Sequence, residues 1–235
     1  MTTIAHQLHQ VHQRLQTACV AAHRAPDAVA LLAVSKTFGP DAVAQAIAAG
    51  QRQFGENYIQ EAVDKIRALA DHPARAELVW HCIGPVQGNK TRLVADHFDW
   101  VQSIDRLKIA QRLSDQRPAH LPPLQVCLQV NVDGGANKSG VSPGELPALA
   151  HAVAALPRLR LRGLMCIPEP ASGFDAEKAL FMRAKAQWDA LNAQGLALDT
   201  LSMGMSADLE AAVAAGATLV RVGTAIFGVR PPRAA

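Results

Sequence analysis

The stretch that decides the fold is Ala30-Leu31-Leu32-Ala33-Val34-Ser35-Lys36-Thr37, an unbroken apolar run that ends in polar residues. Continuous apolar runs are typical of strands buried on both faces of a parallel sheet. Similar runs, rich in Val, Ile and Leu, recur along the chain. The predicted strands cover residues 30–35, 52–55, 78–83, 100–104, 124–130, 159–167, 198–203 and 219–222.

Helical patterns separate these runs. The predicted helices cover residues 40–49, 58–69, 106–112, 143–156, 174–192 and 206–215. Parallel strands joined by helices require right-handed crossovers, and eight such units suit a closed α/β barrel. We therefore predict a single (β/α)8 TIM barrel over residues 1–235. An additional N-terminal helix precedes it, with Ile4, Leu8, Val11 and Leu15 on one face. A doubly wound open sheet is the alternative, weakened because no G-x-G-x-x-G follows a strand.

Composition excludes several classes of protein. The chain is 49% hydrophobic and 18% charged, which does not fit a disordered chain. A net charge of +3 without a basic block predicts no nucleic-acid partner. No apolar run reaches membrane-span length, and no secretory signal is seen. The widely spaced Cys19, Cys82, Cys127 and Cys166 read as buried thiols. We expect a cytoplasmic protein that holds no metal.

Lys36 is the sharpest candidate, because a barrel places its active groups at the carboxyl ends of its strands. It ends an apolar run, so we expect its stem to be buried. Burial lowers the pKa of a lysine, and a neutral amine can form a Schiff base with an aldehyde. The alternative is a lysine whose ammonium reaches solvent at a strand end.

The last two strands suggest an anion site. Ser206 is a predicted helix N-cap, and Gly223-Thr224 follows the eighth strand. Arg221 stands among apolar neighbours, where a guanidinium needs a ring nitrogen, a carboxylate or a phosphate as acceptor. Ordinary caps and a structural ion pair of Arg221 are the alternatives. Lys90 and Lys138 lie in loop-like stretches, where solvent exposure is the stronger interpretation.

Several blocks together resemble the pyridoxal phosphate homeostasis protein family, which has the fold of the alanine racemase N-terminal domain. They span essentially the whole chain in order. The blocks are Ala33-Val34-Ser35-Lys36-Thr37, Phe54-Gly55-Glu56-Asn57-Tyr58-Ile59-Gln60-Glu61, Trp80-His81-Cys82-Ile83-Gly84, Gln87-Gly88-Asn89-Lys90, Gly163-Leu164-Met165, Leu201-Ser202-Met203-Gly204-Met205-Ser206-Ala207-Asp208 and Val220-Arg221-Val222-Gly223-Thr224-Ala225-Ile226-Phe227-Gly228. Cys82 and Gly135 depart from the residues that are frequent in the family.

The resemblance implies a cofactor and a role for each matching residue. It implies that Lys36 carries pyridoxal 5′-phosphate (PLP) as a Schiff base and that Arg221 faces the pyridine nitrogen. Other residues would hold the phosphate or line the pocket. The phosphate residues are Ser206, Gly223 and Thr224, and the lining residues are Asn57, His81 and Met203.

The resemblance also implies storage or delivery of PLP without robust catalysis, with apo PLP enzymes as possible recipients. An arginine cannot accept a proton, so the ring would be a poorer electron sink beside Arg221. Racemisation needs a second base, for which Tyr58, His81 or a group on a loop would have to serve. The chain ends at Ala235, shortly after the eighth strand, so we expect no closing domain and a monomer. A weak PLP-dependent amino-acid racemase and a Schiff-base aldolase acting on a phosphosugar remain alternatives.

Overall fold

Eight parallel strands close into a barrel in sequential order, with β1 paired to β8. This confirms the predicted (β/α)8 architecture. The computed structural model describes residues 3–134 and 139–229, so Gly135 and Lys138 lie outside the described residues. The strands are β1 (Ala30–Val34), β2 (Gln53–Glu56), β3 (Val79–Cys82), β4 (Trp100–Ile104), β5 (Leu124–Gln129), β6 (Leu159–Met165), β7 (Thr200–Ser202) and β8 (Leu219–Val222).

Helices follow the strands around the outside of the barrel. They are α1 (Ile4–Ala21), α2 (Pro40–Ala48), α3 (Ile59–Ala68), α4 (Thr91–His97), α5 (Leu107–Gln116), α6 (Leu146–Ala154), α7 (Phe174–Ala193), α8 (Leu209–Ala214) and α9 (Thr224–Phe227). The predicted N-terminal helix is confirmed, and it packs against α2, α8 and α9. The sequence did not predict α4 or α9, and α9 has only four residues, about one helical turn. Within the described residues, no helix is both long and apolar enough to cross a membrane.

Side chains alternate along β1 between two apolar layers. Leu31 and Ala33 belong to the large cluster between the strands and the helices. Leu32 and Val34 belong instead to a small second cluster, together with Leu219. This two-residue period is expected when both faces of a strand are buried. The four cysteines are buried free thiols, as predicted.

Two predicted helix starts lie three residues too early. Helix α6 begins at Leu146, after its predicted start at residue 143. The second case is α8. Ser206 does not cap α8, which begins at Leu209 with Asp208 in the N-cap position. The backbone of Met205 donates to the Asp208 carboxylate at 2.6 Å, so a turn occupies the residues before the helix. The helix ends as expected, because Gly216 takes a φ of +99°, which a glycine adopts without a Cβ clash.

Gly163 generates a prediction about the barrel itself. It lies on β6 opposite Thr200, and a Cβ at this position would overlap the Thr200 carbonyl. We expect Gly163→Ala to lower the free energy of unfolding by about 1–3 kcal/mol, because a packed backbone cannot yield freely. Urea unfolding measures the change. Gly144→Ala is the control, since its Cβ meets open space, and equal stability of the two variants would contradict the packing argument.

Candidate functional site

A cavity of about 260 Å³ opens at the carboxyl ends of the strands. Most of the residues proposed from the sequence meet there. The polar and glycine residues of its lining are Lys36, Asn57, Ser206, Arg221, Gly223, Thr224 and Gly228. Apolar side chains complete it, namely Val34, Phe38, Ile83, Ile167, Met205 and Ala207. The structure thus joins a lysine, an arginine and small polar groups within an otherwise apolar wall.

Lys36 lies in a tight turn directly after β1. The backbone N–H of Phe38 donates to the Ser35 carbonyl at 3.1 Å and closes the turn. Lys36 as a whole residue is half-buried. Strand β1 ends at Val34, two residues before it, and Lys36 lines the cavity from the turn.

Arg221 is 4% exposed, and its hydrogen bonds within the protein go to neutral oxygens. Nη1 donates to Ser202 Oγ at 2.8 Å and Nη2 to the Cys166 carbonyl at 2.9 Å. Among the described residues no carboxylate pairs with it, so a structural ion pair is not its role. Burial lowers the pKa of Arg221, but a guanidinium stays charged in proteins.

The hydrogen bonds continue from Arg221 across the barrel interior. Ser202 Oγ donates to Gln102 Oε1 at 2.7 Å, which leaves Gln102 Nε2 to donate to His81 Nδ1 at 2.9 Å. His81 must therefore carry its proton on Nε2. Burial lowers the pKa of His81 to about 3, and its ring stacks on Trp100 with centroids 5.1 Å apart. This series of hydrogen bonds therefore ends on the neutral imidazole of His81.

The structure places His81 and Met203 outside the cavity lining. His81 lies at the far end of the hydrogen-bond series that starts at Arg221. Met203 is fully buried in the apolar core. Asn57, by contrast, lines the cavity, and its Oδ1 is buried without a hydrogen-bond partner. A buried acceptor of this kind is costly unless a ligand donates to it. Asn57 is therefore well placed to meet a hydroxyl group.

Arg14, on the N-terminal helix outside the barrel, holds the loop that carries Ser206. Arg14 on α1 donates through Nη1 to the Ser206 carbonyl at 2.7 Å, and its Nε contacts Glu210 on α8 at 2.6 Å. On the other side of the cavity, Gly223 brings the chain close to β1, because a Cβ there would lie 3.2 Å from the Val34 carbonyl. Arg14 was missed by sequence reasoning, since its only signal was a polar position on the N-terminal helix.

Comparison with known proteins identifies the family of this chain. The family described as alanine racemase, N-terminal domain matches residues 7–231. The pyridoxal phosphate homeostasis protein of Pseudomonas aeruginosa PAO1 is 60% identical over 98% of this chain and 97% of its own length. That of Escherichia coli K12 is 54% identical over 98% of each. The chain belongs to the pyridoxal phosphate homeostasis protein family. The resemblance noted from the sequence is confirmed.

Solved structures give the same family and fold. PipY of Synechococcus elongatus PCC7942, solved without PLP, is 38% identical, with a TM-score of 0.84 over 96% of this chain and 100% of that one. The same protein with PLP bound has a TM-score of 0.83. Alanine racemase from Corynebacterium glutamicum is 15% identical with a TM-score of 0.68, and the match covers 60% of its chain. That likeness shows a shared fold.

His81 predicts an acid sensitivity of the fold. Its pKa is about 3 in the folded chain against about 6.5 when unfolded, so acid favours the unfolded state, which takes up a proton near pH 6.5. We expect this residue to remove about 2 kcal/mol of stability between pH 7 and pH 5. His81→Asn should abolish that part of the loss in urea unfolding. The exposed His120→Asn should keep the wild-type dependence, and identical pH profiles for all three proteins would contradict the assignment.

Proposed function

We propose that this protein binds pyridoxal 5′-phosphate in the cavity at the barrel mouth and serves the cell's homeostasis of that cofactor by storing or delivering it. Membership of the pyridoxal phosphate homeostasis protein family supports the proposal, as does the PLP-bound structure of PipY. The observation that carries it is the meeting of Lys36, Arg221 and the Ser206, Gly223 and Thr224 backbone around one cavity.

The residues fit the chemistry of this cofactor. A guanidinium has five N–H donors, and Arg221 makes two hydrogen bonds to neutral oxygens of the protein, so it can donate further to an acceptor in the cavity. A buried cation without a carboxylate is costly, and an electron-rich ring nitrogen or a phosphate relieves that cost. We assign Arg221 to the ring nitrogen, and Ser206, Gly223 and Thr224 to the phosphate.

Lys36 is the proposed covalent anchor. It lines the cavity at the carboxyl end of β1, and an amine is the side chain that condenses with an aldehyde. When bound in this way, PLP supplies a conjugated ring that can draw electrons from an attached carbon. Asn57, whose Oδ1 is buried and unpaired within the protein, would accept from the ring hydroxyl.

We propose that the bound cofactor is held without robust catalysis. Among the described residues that line the cavity, only Lys36 and Arg221 carry ionisable side chains. Lys36 is needed as anchor, and Arg221 cannot accept a proton. Racemisation requires a second base, and the proposed candidates do not supply one, because His81 lies outside the lining and Tyr58 is 40% exposed on the surface.

The role further predicts that PLP passes to apo-enzymes that lack it. The half-buried position of Lys36 supports this, since the anchor lies at an open rim. We propose that the protein acts as a monomer in the cytoplasm, and sedimentation of the PLP-loaded protein tests that state. A dimer at micromolar concentration would contradict it.

The covalent anchor has a direct test. Purified protein incubated with PLP should turn yellow, and borohydride reduction should fix the cofactor on the peptide that contains Lys36. Lys36→Ala should lose the reducible adduct but keep weak, phosphate-dependent binding. Lys90→Ala is the matched control and should behave as the wild type, because Lys90 lies outside the cavity lining. A reducible adduct that survives in Lys36→Ala would place the anchor on another lysine, and no colour would favour an aldolase.

Arg221 has its own predicted effect. Arg221→Met removes charge-assisted hydrogen bonds worth about 1.5–3 kcal/mol, so affinity for PLP should fall about 10–100-fold. Calorimetric titration measures the change, with Arg52→Met on the barrel exterior as control. An unchanged affinity would contradict the assigned role.

The racemase alternative is decided by exchange of the α-proton. The proposal expects that the PLP-loaded protein, given single-enantiomer amino acids in deuterated water, shows no enzyme-like turnover. Exchange that depends on Lys36 at such a turnover would favour the racemase.

A further inference from the structure

A cluster of three charged side chains, two buried and one half-buried, contacts the Lys36 turn. The Lys65 ammonium is 2.7 Å from Glu56 Oε1 and 2.7 Å from Glu61 Oε1. We call Lys65, Glu56 and Glu61 the anchor cluster. None of these residues lines the cavity, and sequence reasoning assigned no role to any of them.

The anchor cluster holds the backbone on both sides of Lys36. Lys65 Nζ donates to the Ser35 carbonyl at 2.7 Å, on the residue before the lysine. Glu61 Oε1 accepts from the backbone N–H of Thr37 at 2.6 Å, on the residue after it. Glu56 Oε1 also accepts from Ser35 Oγ at 2.6 Å. The turn that carries the lysine is thus fixed from one side by a single set of charges.

The held turn is strained. Thr37 has a φ of +70°, in the left-handed region that β-branched residues rarely adopt. With the Phe38 N–H closing onto the Ser35 carbonyl, the turn has the positive third residue of a type II turn, a position that favours glycine. Such strain persists only where the surroundings impose it. Glu61 imposes it here through the Thr37 N–H.

The cluster is also costly for the fold. The side chains of Lys65 and Glu56 are 4% and 0% exposed, and well-packed apolar residues often replace buried ion pairs without loss of stability. Burial raises the pKa of Glu56, with Lys65 opposing that rise. A barrel does not need such a cluster to close. Because the hydrogen bonds of the cluster lie on both sides of Lys36, they indicate that it positions this residue.

We propose that Lys65, Glu56 and Glu61 are positioning residues that aim Lys36 at the aldehyde of the cofactor. This inference rests on the proposed function, in which the Lys36 amine forms a C=N bond with the aldehyde carbon and the aldehyde oxygen leaves as water. With the backbone held at Ser35 and Thr37, the Cα–Cβ bond of Lys36 has one direction. The amine then has a smaller region to search for the reacting geometry.

Glu61 gives the cleanest test, because its side chain is 32% exposed and its truncation leaves less charge buried than loss of Lys65 would. Glu61→Ala should slow formation of the borohydride-reducible Lys36 adduct by about tenfold or more, since small displacements of a reacting group have effects of this size. Glu61→Gln keeps an oxygen for the Thr37 N–H and should recover most of the wild-type rate.

A second readout separates positioning from general damage. Binding of pyridoxine 5′-phosphate, which has no aldehyde and forms no covalent bond, should be unchanged in Glu61→Ala. Asp189→Ala is the matched control, because it breaks another i,i+4 ion pair, with Lys185, on the outer helix α7. It should alter neither measurement. If Lys65→Met folds, it should slow adduct formation as Glu61→Ala does. If it does not fold, the comparison of Glu61→Ala with Glu61→Gln tests the positioning role.

The outcomes are distinguishable. A wild-type rate of adduct formation in Glu61→Ala would overturn the positioning role and leave the proposed function intact. An equal loss of adduct formation and of pyridoxine 5′-phosphate binding would also overturn it, because the cluster would then support the whole cavity. A wild-type protein that forms no adduct on Lys36 would overturn the proposed function and the inference together.

Discussion

A guanidinium buried without a carboxylate sets the chemistry of this barrel mouth. Among the described residues, the hydrogen bonds of Arg221 go to the Ser202 hydroxyl and the Cys166 carbonyl, and those beyond Ser202 end on a neutral His81. The protein therefore leaves a positive charge for a ligand to balance. Arg221 cannot accept a proton. In the proposed function it would therefore bind the PLP ring nitrogen without making the ring a stronger electron sink.

Two residues from different helices hold the backbone at the two ends of the proposed site, the Ser206 loop and the Lys36 turn. Arg14 on α1 secures the loop of Ser206, and Lys65 on α3 secures the turn of Lys36. Within the Ser206 loop and the Lys36 turn, the group that each of them contacts is a backbone carbonyl. These two contacts fix the backbone of the Ser206 loop and of the Lys36 turn. The additional N-terminal helix therefore belongs to the site as well as to the fold.

Much of the fold was predictable, because buried strands leave continuous apolar runs such as Leu31 to Val34, and glycines such as Gly216 mark helix ends. The proposed anchor and Arg221 were predictable for a related reason, since a lone charge in an apolar run stands out. The start of α8 was not, because Ser206 and Asp208 are equally good caps by residue type and tertiary contacts choose between them. Lys65 escaped notice because a lysine on an amphipathic helix normally faces solvent.

The most direct measurement of the central claim is the state of the cofactor's ring nitrogen in the loaded protein. Pyridoxal 5′-phosphate labelled with ¹⁵N in the ring reports that state through its nitrogen chemical shift. The account predicts an unprotonated nitrogen that accepts a hydrogen bond from Arg221 and does not titrate between pH 6 and pH 8. A protonated pyridinium at neutral pH, with the cofactor on Lys36, would contradict it.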